Sequence, residues 1–210
     1  MSSLSSFLST SEEIIQEVSA GKMCIIVDDE ARENEADLVI SAQAVTAEAI
    51  NFMISHGRGL VCLAMTKFHV NKLGLPMILS HRHKYSGTAF TYSIDASHGI
   101  TTGISAHDRA HTISVAISES CEQDDIVVPG HMFPLCAEDG GVLVRRGHTE
   151  AAVDIARLAG HIPAGVICEI LNEDGSMQRT DDLIDFAKTY GLMIGSVNDL
   201  VSYRQQNDFT

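Results

Sequence analysis

The densest cluster of potentially reactive side chains is the run DDEARENEAD at residues 28–37, with six carboxylates and one guanidinium in ten residues. Carboxylates this close together repel one another, and the repulsion grows where water is excluded. A divalent cation would offset it, because hard cations prefer oxygen ligands. The alternative is an acidic loop that is simply solvated. The run therefore predicts either a metal site or a highly charged surface loop.

A second cluster, RRGHTE at residues 145–150, lies at the predicted start of a helix. Backbone N–H groups at a helix N-terminus attract anions, and two arginines would add forked donors. The segment therefore predicts a phosphate or metal site, although a basic turn that pairs with acidic surface explains it too. His148 on its own fits a metal ligand, a general base or an ordinary helix-start histidine.

Two isolated residues are further candidates for proton transfer. Glu169 lies in the apolar run VICEIL at residues 166–171, where an unpaired acid is costly to bury. It either alternates toward solvent or faces a site, where a shifted pKa would suit acid–base chemistry. His131 follows a Pro-Gly turn that fixes its backbone, and the simpler alternative there is a solvated loop histidine.

A competing site is the segment HDRAH, in which His107 and His111 stand at i and i+4 of a predicted helix. This spacing resembles the zinc-binding H-E-x-x-H pattern with Asp in place of Glu. An amphipathic helix with two polar positions on one face explains the same spacing. A zinc hydrolase is therefore one alternative function, and a non-catalytic anion-binding module is another.

The composition limits the classes of protein to consider. Against 28 Asp and Glu stand 14 Lys and Arg, and the net charge of −14 argues against a nucleic-acid or anionic-membrane binder. No apolar stretch approaches the roughly 20 residues of a membrane span, and the N-terminus lacks the features of a secretory signal. The five cysteines are widely spaced without a C-x-x-C pair, which favours a cytoplasmic protein. Cys24, Cys62 and Cys168 are expected to be small buried hydrophobes.

Hydrophobic periodicity and turn signals predict interleaved helices and strands that would position these residues. The predicted helices cover residues 11–20, 47–55, 106–117, 150–160, 181–190 and a segment from 199, with Thr10, Thr46, Ser105, Thr149 and Asn198 among the capping residues. The predicted strands cover residues 23–27, 38–41, 60–65, 89–94, 142–144, 165–171 and 192–196. Residues 67–88 and 118–132 are predicted to be long polar loops, and the first is a candidate to close over a site.

This order of elements predicts one α/β or α+β domain over residues 1–210. No linker rich in Pro, Gly or Ser divides the chain, and no internal repeat is visible. The interleaving is not a strict βαβ pattern, so the sheet need not be entirely parallel.

Five segments in this order resemble the 3,4-dihydroxy-2-butanone 4-phosphate synthase family of riboflavin biosynthesis. They are DDEARENEAD (28–37), GITTGISAHDR (99–109), PGHMFPL (129–135), GGVLVRRGHTEA (140–151) and GVICE (165–169). The resemblance covers about residues 9–204 and leaves no room for the GTP cyclohydrolase II that is often fused to members. Two positions depart from the common pattern, because Ala36 and Arg146 stand where many members have Gly.

The resemblance implies conversion of D-ribulose 5-phosphate to L-3,4-dihydroxy-2-butanone 4-phosphate and formate, with two Mg²⁺ (or Mn²⁺) ions per active site. It implies Glu33 and His148 as metal ligands and His131 and Glu169 as catalytic residues. The implied substrate contacts are Arg32, Asp37, Arg145, Arg146, Gly147, His148, Thr149 and Glu169. A homodimer with sites near the subunit interface and mixed β-sheets sandwiched with helices are also implied.

Overall fold

A computed structural model describes residues 3–78 and 87–208, and within them helices and strands interleave. The helices are α1 (Ser11–Ser19), α2 (Ala47–Phe52), α3 (Lys67–Lys72), α4 (Ala106–Ala116), α5 (His148–Leu158), α6 (Thr180–Tyr190) and α7 (Val197–Asn207). The strands are β1 (Cys24–Val27), β2 (Ala36–Ser41), β3 (Cys62–Thr66), β4 (Ile94–Ala96), β5 (Ile126–Ala137), β6 (Ala164–Glu169) and β7 (Ile194–Ser196). None of the described helices is long and apolar enough to cross a membrane.

The strands form one mixed sheet in the order β4-β5-β3-β6-β2-β1-β7. β1 pairs with β7 and β3 with β5 in parallel, and the other neighbouring pairs are antiparallel. The acidic run connects β1 to β2, and β2 pairs with β6 so that Asp37 lies directly opposite Glu169. The sheet therefore brings Glu169 next to the acidic run, although about 130 residues separate them in the chain.

Helices cover both faces of this sheet, and the alternation of side chains along the strands explains why. Ile25 and Leu38 belong to one buried core, whereas their neighbours Ile26 and Val39 belong to another. The first core includes residues of α2, α4 and α6, and the second includes residues of α1, α5 and α7. The predicted fold class is confirmed, with one mixed sheet between the helices rather than several. Cys24, Cys62 and Cys168 are buried, as expected.

Two helices begin two residues earlier than the sequence predicts. The N-cap of α5 is Gly147, so the helix starts at His148 and Thr149 is not its cap. The N-cap of α7 is Ser196, whose hydroxyl accepts the N–H of Asp199 at 3.1 Å, so Asn198 lies within the helix. The caps predicted at Thr10, Thr46 and Ser105 are confirmed.

Several predicted segments also change class. Residues 142–144 were expected as a strand, but Gly141–Leu143 forms a 3-10 helix because Gly140 and Gly141 adopt positive φ angles of 93° and 62°. β5 starts at Ile126, inside a predicted loop, because pairing with β3 and β4 outweighs its polar and Pro-Gly composition. Residues 67–72 form α3, capped by Thr66, rather than the start of a loop. The fourth strand begins only at Ile94, and residues 79–86 of the predicted loop 67–88 lie outside the described residues.

Candidate active site

The acidic run is folded around one of its own members. Asp28 is nearly buried, and its carboxylate accepts the N–H groups of Glu33 and Glu35 at 3.1 and 2.8 Å. It also receives the guanidinium of Arg32 at 2.8 Å. The backbone turns at Asn34, which has a φ of 54°, a conformation that asparagine tolerates better than most residues. Ala36 does not have a positive φ, so the missing glycine costs nothing in backbone strain.

This turn brings Glu33 close to the start of α5. Glu33 Oε2 accepts a hydrogen bond from Arg32 Nη1 at 2.5 Å and lies 3.9 Å from His148 Nδ1. Asp28, Glu33 and His148 each offer a ligand atom within 4.8 Å of the others. Across residues 3–78 and 87–208, no other group of three His, Cys, Asp or Glu side chains comes together in this way.

The state of His148 fits a metal ligand. The imidazole is only 6% exposed, and its Nε2 atom has no hydrogen-bond partner in the described part of the chain. Burial, opposed by the negative charge of Asp28 and Glu33, lowers the pKa of His148 below its usual range. A neutral imidazole whose Nδ1 atom lies 3.9 Å from Glu33 Oε2 and 4.0 Å from Asp37 Oδ1 is part of a donor set that Mg²⁺, Mn²⁺ or Zn²⁺ accepts. The residues present therefore fit a cation site.

A second pair of carboxylates lies next to this group. Asp37 is 3% exposed, faces Glu169 across the strands, and its Oδ1 atom has no hydrogen-bond partner among the described residues. Burial, and then the negative charge of Glu169, raises the pKa of Asp37 well above its usual range. Glu169 is half-buried and is held by the N–H of Leu60, which it accepts at 2.8 Å. Burial and the charge of Glu33 also raise the pKa of Glu35.

Positive charge reaches the same place from the loop before α5. The Arg145 guanidinium is largely buried and donates to Glu150 Oε2 at 2.5 Å. Thr149 lies buried in the first turn of α5. Gly147 lacks a side chain for a steric reason, since a Cβ there would lie 2.4 Å from Arg145 Nη1. Arg146 is exposed and does not line the cavity that the other residues surround.

These side chains surround one cavity of about 140 Å³. Its acidic lining is Glu33, Glu35, Asp37 and Glu169, and its basic lining is Arg32, Arg145 and His148. Thr88, Thr149 and the apolar side chains of Cys62, Phe90, Leu135 and Ile167 complete the wall. Two candidate cation ligands, a largely buried arginine at a helix start and several carboxylates therefore share one partly apolar cavity.

Of the two predicted catalytic residues, Glu169 lines the cavity and His131 does not. Its Nδ1 atom lies 2.7 Å from Asp95 Oδ2, and its N–H donates to Asp95 Oδ1 at 2.9 Å. The side chain is 41% exposed. Leu135, four residues further along β5, does line the cavity, which puts His131 roughly 13 Å away along the strand.

The competing histidines, His107 and His111, belong to no group of three possible metal ligands among the described residues. His107 is exposed, and the Nε2 atom of His111 lies 3.1 Å from the carbonyl oxygen of His98. The carboxylate of Asp108, the expected base, accepts the N–H and hydroxyl of Thr101 and the N–H of Gly103. These bonds lower the pKa of Asp108 to about 2 and bind the loop before α4. Its function here is to hold the loop in place.

Sequence reasoning missed three residues at these sites. Asp95, the partner of His131, stands alone between apolar residues without any motif of its own. Asp28 and Glu35 were in the acidic run but had no assigned role. The sequence does not distinguish the roles of Asp28 and Glu35. In the structure, Asp28 accepts hydrogen bonds that organise the loop, whereas Glu35 lines the cavity.

The chain is similar to known proteins over nearly its whole length. A sequence model of the 3,4-dihydroxy-2-butanone 4-phosphate synthase family matches residues 12–203. The chain is 57% identical over 203 residues to a 3,4-dihydroxy-2-butanone 4-phosphate synthase of Neisseria meningitidis serogroup B, covering 97% of this chain and 56% of that protein. It is 54% identical to the riboflavin biosynthesis protein RibBA of Aquifex aeolicus, covering 95% of this chain and 50% of that protein.

A solved structure extends the likeness to three dimensions. A 3,4-dihydroxy-2-butanone 4-phosphate synthase in complex with two magnesium ions aligns with a TM-score of 0.90 and 38% identity, covering 96% of this chain and 99% of that one. The chain spans a little over half the length of the curated relatives described above. The family match over most of the sequence is nevertheless unambiguous. The chain belongs to the 3,4-dihydroxy-2-butanone 4-phosphate synthase family.

Proposed function

We propose that this chain acts in riboflavin biosynthesis, converting D-ribulose 5-phosphate to L-3,4-dihydroxy-2-butanone 4-phosphate and formate with a divalent cation. The observation that carries the proposal is a single cavity in which Glu33 and His148 lie close to Arg145 and the N-terminus of α5. A sugar phosphate needs a cation for its hydroxyl and carbonyl oxygens and positive charge for its phosphate. Membership of the family supports the same reaction.

Glu33 and His148 would hold the cation, with Asp28 beside them. We propose two Mg²⁺ ions per site, by analogy with the related synthase in complex with two magnesium ions, and Mn²⁺ as a substitute that accepts the same donors. When bound, the cation would supply Lewis acidity toward a carbonyl oxygen and would lower the cost of negative charge on neighbouring oxygens.

Asp37 and Glu169 are proposed to move protons to and from the substrate carbons and hydroxyls. The raised pKa of Asp37 allows Oδ1 to carry a proton at a higher pH than an ordinary aspartate would, which suits a general acid or base. The bond from Leu60 N–H to Glu169 Oε2 fixes the direction of that carboxylate. Each role requires a proton-accepting oxygen near the bound sugar, and both side chains line the cavity.

Arg145, Gly147 and Thr149 are proposed to bind the phosphate at the start of α5. The backbone N–H groups of the first turn have no partner within the helix and attract anions. Arg32 would contact the sugar from the acidic turn. Phe90, Leu135 and Ile167 would exclude water from the reacting carbons, which strengthens every charge interaction inside the cavity.

A homodimer is part of the proposal, and its second copy would bring His131 to the cavity. His131 is 41% exposed, its partner Asp95 is buried, and neither residue lines the cavity of the same chain. Mixing two inactive variants, His131→Ala and Glu33→Gln, tests the idea. Random pairing would restore about a quarter of wild-type activity, because half the dimers contain one intact site of two. No recovery after subunit exchange would show that His131 acts within its own protomer.

A cytoplasmic location completes the proposal. All five cysteines are free thiols, four of them buried, which fits a reducing compartment. The net charge of −14 disfavours nucleic acid and anionic membranes as partners.

The test is formate release from D-ribulose 5-phosphate by the purified protein in Mg²⁺, with and without EDTA. We expect EDTA-sensitive formate production. A folded, dimeric sample that binds phosphate but releases no formate would overturn the enzymatic proposal and favour an anion-binding module.

The ligand assignment has its own test. Glu33→Gln is expected to weaken Mg²⁺ or Mn²⁺ binding, measured by calorimetry, and to lower turnover without lowering the melting temperature. Glu173→Gln is a matched control, because Glu173 also pairs with an arginine but is 93% exposed. Wild-type metal affinity in Glu33→Gln would refute the assignment.

A further inference from the structure

The loop before α5 is fastened to that helix by two buried carboxylates one turn apart, Glu150 and Asp154. Glu150 accepts the N–H of Glu138 at 3.0 Å, and Asp154 accepts the N–H of Val142 at 2.9 Å. Asp154 also receives Arg204 from α7 at 2.6 Å. The loop that delivers Arg145 to the cavity is therefore held at several points by the helix that follows it.

Glu150 is distinct from Asp154 because it touches Arg145 itself. The Glu150 side chain is 1% exposed, and its Oε2 atom receives Arg145 Nη1 at 2.5 Å. Gly147 leaves the space for this pair, since a Cβ there would lie 2.4 Å from Arg145 Nη1 and 2.9 Å from Glu150 Oε2. Three residues of the RRGHTE segment thus form one packed unit, and nothing in the motif alone assigns Glu150 a role.

We infer that Glu150 is a positioning residue that fixes the Arg145 guanidinium for the phosphate of the substrate. The inference rests on the proposed function, which gives Arg145 its ligand. A free arginine side chain has many rotamers, and holding it in one of them before the ligand arrives lowers the entropic cost of binding.

Glu150 also has an opposing effect, which makes the inference testable. Its negative charge reduces the attraction of Arg145 for an anion. If charge dominated, removing it would tighten phosphate binding. The inference commits to the opposite sign, because a displaced guanidinium no longer meets the phosphate in the geometry of a forked contact.

The first variant is Glu150→Gln, which keeps the shape and can still accept the N–H of Glu138. The two donors meet different oxygens of Glu150, and the amide has only one oxygen, so with that oxygen on Glu138 N–H its NH₂ group faces Arg145 and the bond to Arg145 is lost. We expect the KM for ribulose 5-phosphate to rise roughly tenfold or more while kcat stays within about twofold. Mg²⁺ affinity should not change, because Glu33 and His148 are untouched.

A second variant, Gly147→Ala, displaces Arg145 Nη1 without changing Glu150. Gly147→Ala keeps Glu150 but places a methyl group against Arg145 Nη1, which is the mobile end of a long side chain and can move. It should raise KM as Glu150→Gln does, even if Glu150→Gln folds poorly. Glu173→Gln removes an exposed carboxylate–arginine pair and should leave KM unchanged.

Asp154→Asn separates positioning from loop stability. It removes a loop fastening that does not touch Arg145, so it should lower the melting temperature and raise KM less than Glu150→Gln does. Equal KM changes in the two variants would reduce Glu150 to a general structural residue. A KM for Glu150→Gln at or below that of the wild type would overturn the inference outright.

Inorganic phosphate distinguishes this inference from the proposed function. Its affinity is measured by calorimetry and needs no turnover. Weaker phosphate binding in Glu150→Gln, in a wild-type protein that releases no formate, would support the positioning role and refute the enzymatic proposal. Unchanged phosphate binding in Glu150→Gln, with a wild-type protein that releases formate, would refute the positioning role and support the enzymatic proposal.

Discussion

Asp37 and Asp108 are both buried, at 3% and 5% exposure, but their surroundings are opposite. Asp108 lies in the first turn of α4, where two backbone N–H groups and a threonine hydroxyl satisfy its carboxylate. Asp37 lies in the middle of a sheet, faces another acid, and has an oxygen without a hydrogen-bond partner in the described ranges. Accordingly, the pKa of Asp108 is lowered to about 2, whereas that of Asp37 is raised.

The difference teaches how to separate a structural carboxylate from one that awaits a ligand. Loops and helix N-termini supply donors that stabilise the ionised acid. A strand cannot, because its backbone groups are committed to the ladder, and like charges directly opposite each other destabilise a sheet. The fold leaves Asp37 in an unfavourable state, which a cation, a proton or a substrate hydroxyl can relieve.

The largest expected effect concerns the histidines associated with the two aspartates. His148→Ala should weaken Mg²⁺ or Mn²⁺ binding by about a hundredfold or more, since even indirect partners of a metal ligand contribute 10–100-fold. His111→Ala should leave metal affinity and turnover nearly unchanged, because its imidazole meets a carbonyl oxygen instead. Calorimetric titration of both variants checks this. Metal loss in His111→Ala with normal binding in His148→Ala would reverse the comparison.

The next effect is a gain of stability at the expense of activity. Asp37→Asn removes a buried charge and its repulsion from Glu169, so in EDTA it should melt several degrees above the wild type while losing nearly all turnover. The raised pKa means that the folded state binds the proton more tightly than the unfolded chain. The metal-free wild type should therefore lose stability as pH rises above the ordinary 3.8 and through the raised pKa.

Asp37→Asn should lack this pH dependence. Saturating Mg²⁺ should reduce the difference in melting temperature between Asp37→Asn and the wild type. Melting curves at several pH values, with and without the metal, measure both. A variant less stable than the wild type in EDTA would mean that Asp37 has a stabilising partner after all.

Asp108 should show the opposite dependence. Its folded pKa of about 2 lies below the ordinary 3.8, so its contribution is full above pH 3.8 and is lost as pH falls toward 2. Asp108→Asn should melt several degrees below the wild type at pH 7, and this gap should close as the pH is lowered through that window. Asp124→Asn, an exposed acid in a short 3-10 helix, is a control for the loss of one charge. A difference in melting temperature that stays constant with pH would show that the ionised carboxylate of Asp108 is not what stabilises the fold.

The contrast also explains how much could be predicted from the sequence. Periodicity and caps identified most elements and predicted one α/β or α+β domain, whereas the sandwiching of mixed strands by helices was implied by the family resemblance. Glu33, Asp37, His148 and Glu169 were predictable because each lies in a distinctive segment, and the structure gathers them into one cavity. Their roles stay predictions, as does the role of His131.

What escaped the sequence depends on contacts between distant segments. β5 looked like a loop because its pairing partners, β3 and β4, precede it by 60 and about 30 residues. Asp95 had no motif, and only the fold brings it to His131. In the sequence, HDRAH differed from the H-E-x-x-H zinc motif only by Asp in place of Glu. The Thr101 and Gly103 N–H groups that occupy Asp108 became visible only in three dimensions.

The smallest expected effect tests whether the left-handed turn at Asn34 orients the neighbouring carboxylates, such as Glu33, toward a bound cation. Asn34, between Glu33 and Glu35, has a φ of 54°, which costs a residue with a Cβ about 1 kcal/mol unless it is Asn or Asp. Asn34→Ala should therefore lower stability by about that amount, and Mg²⁺ affinity should fall a few-fold, because the turn also orients Glu33. Asn34→Gly adopts the same backbone without strain and should restore both quantities. If both variants bind Mg²⁺ like the wild type, the position of Glu33 is set by Arg32 and Asp28 rather than by the left-handed turn.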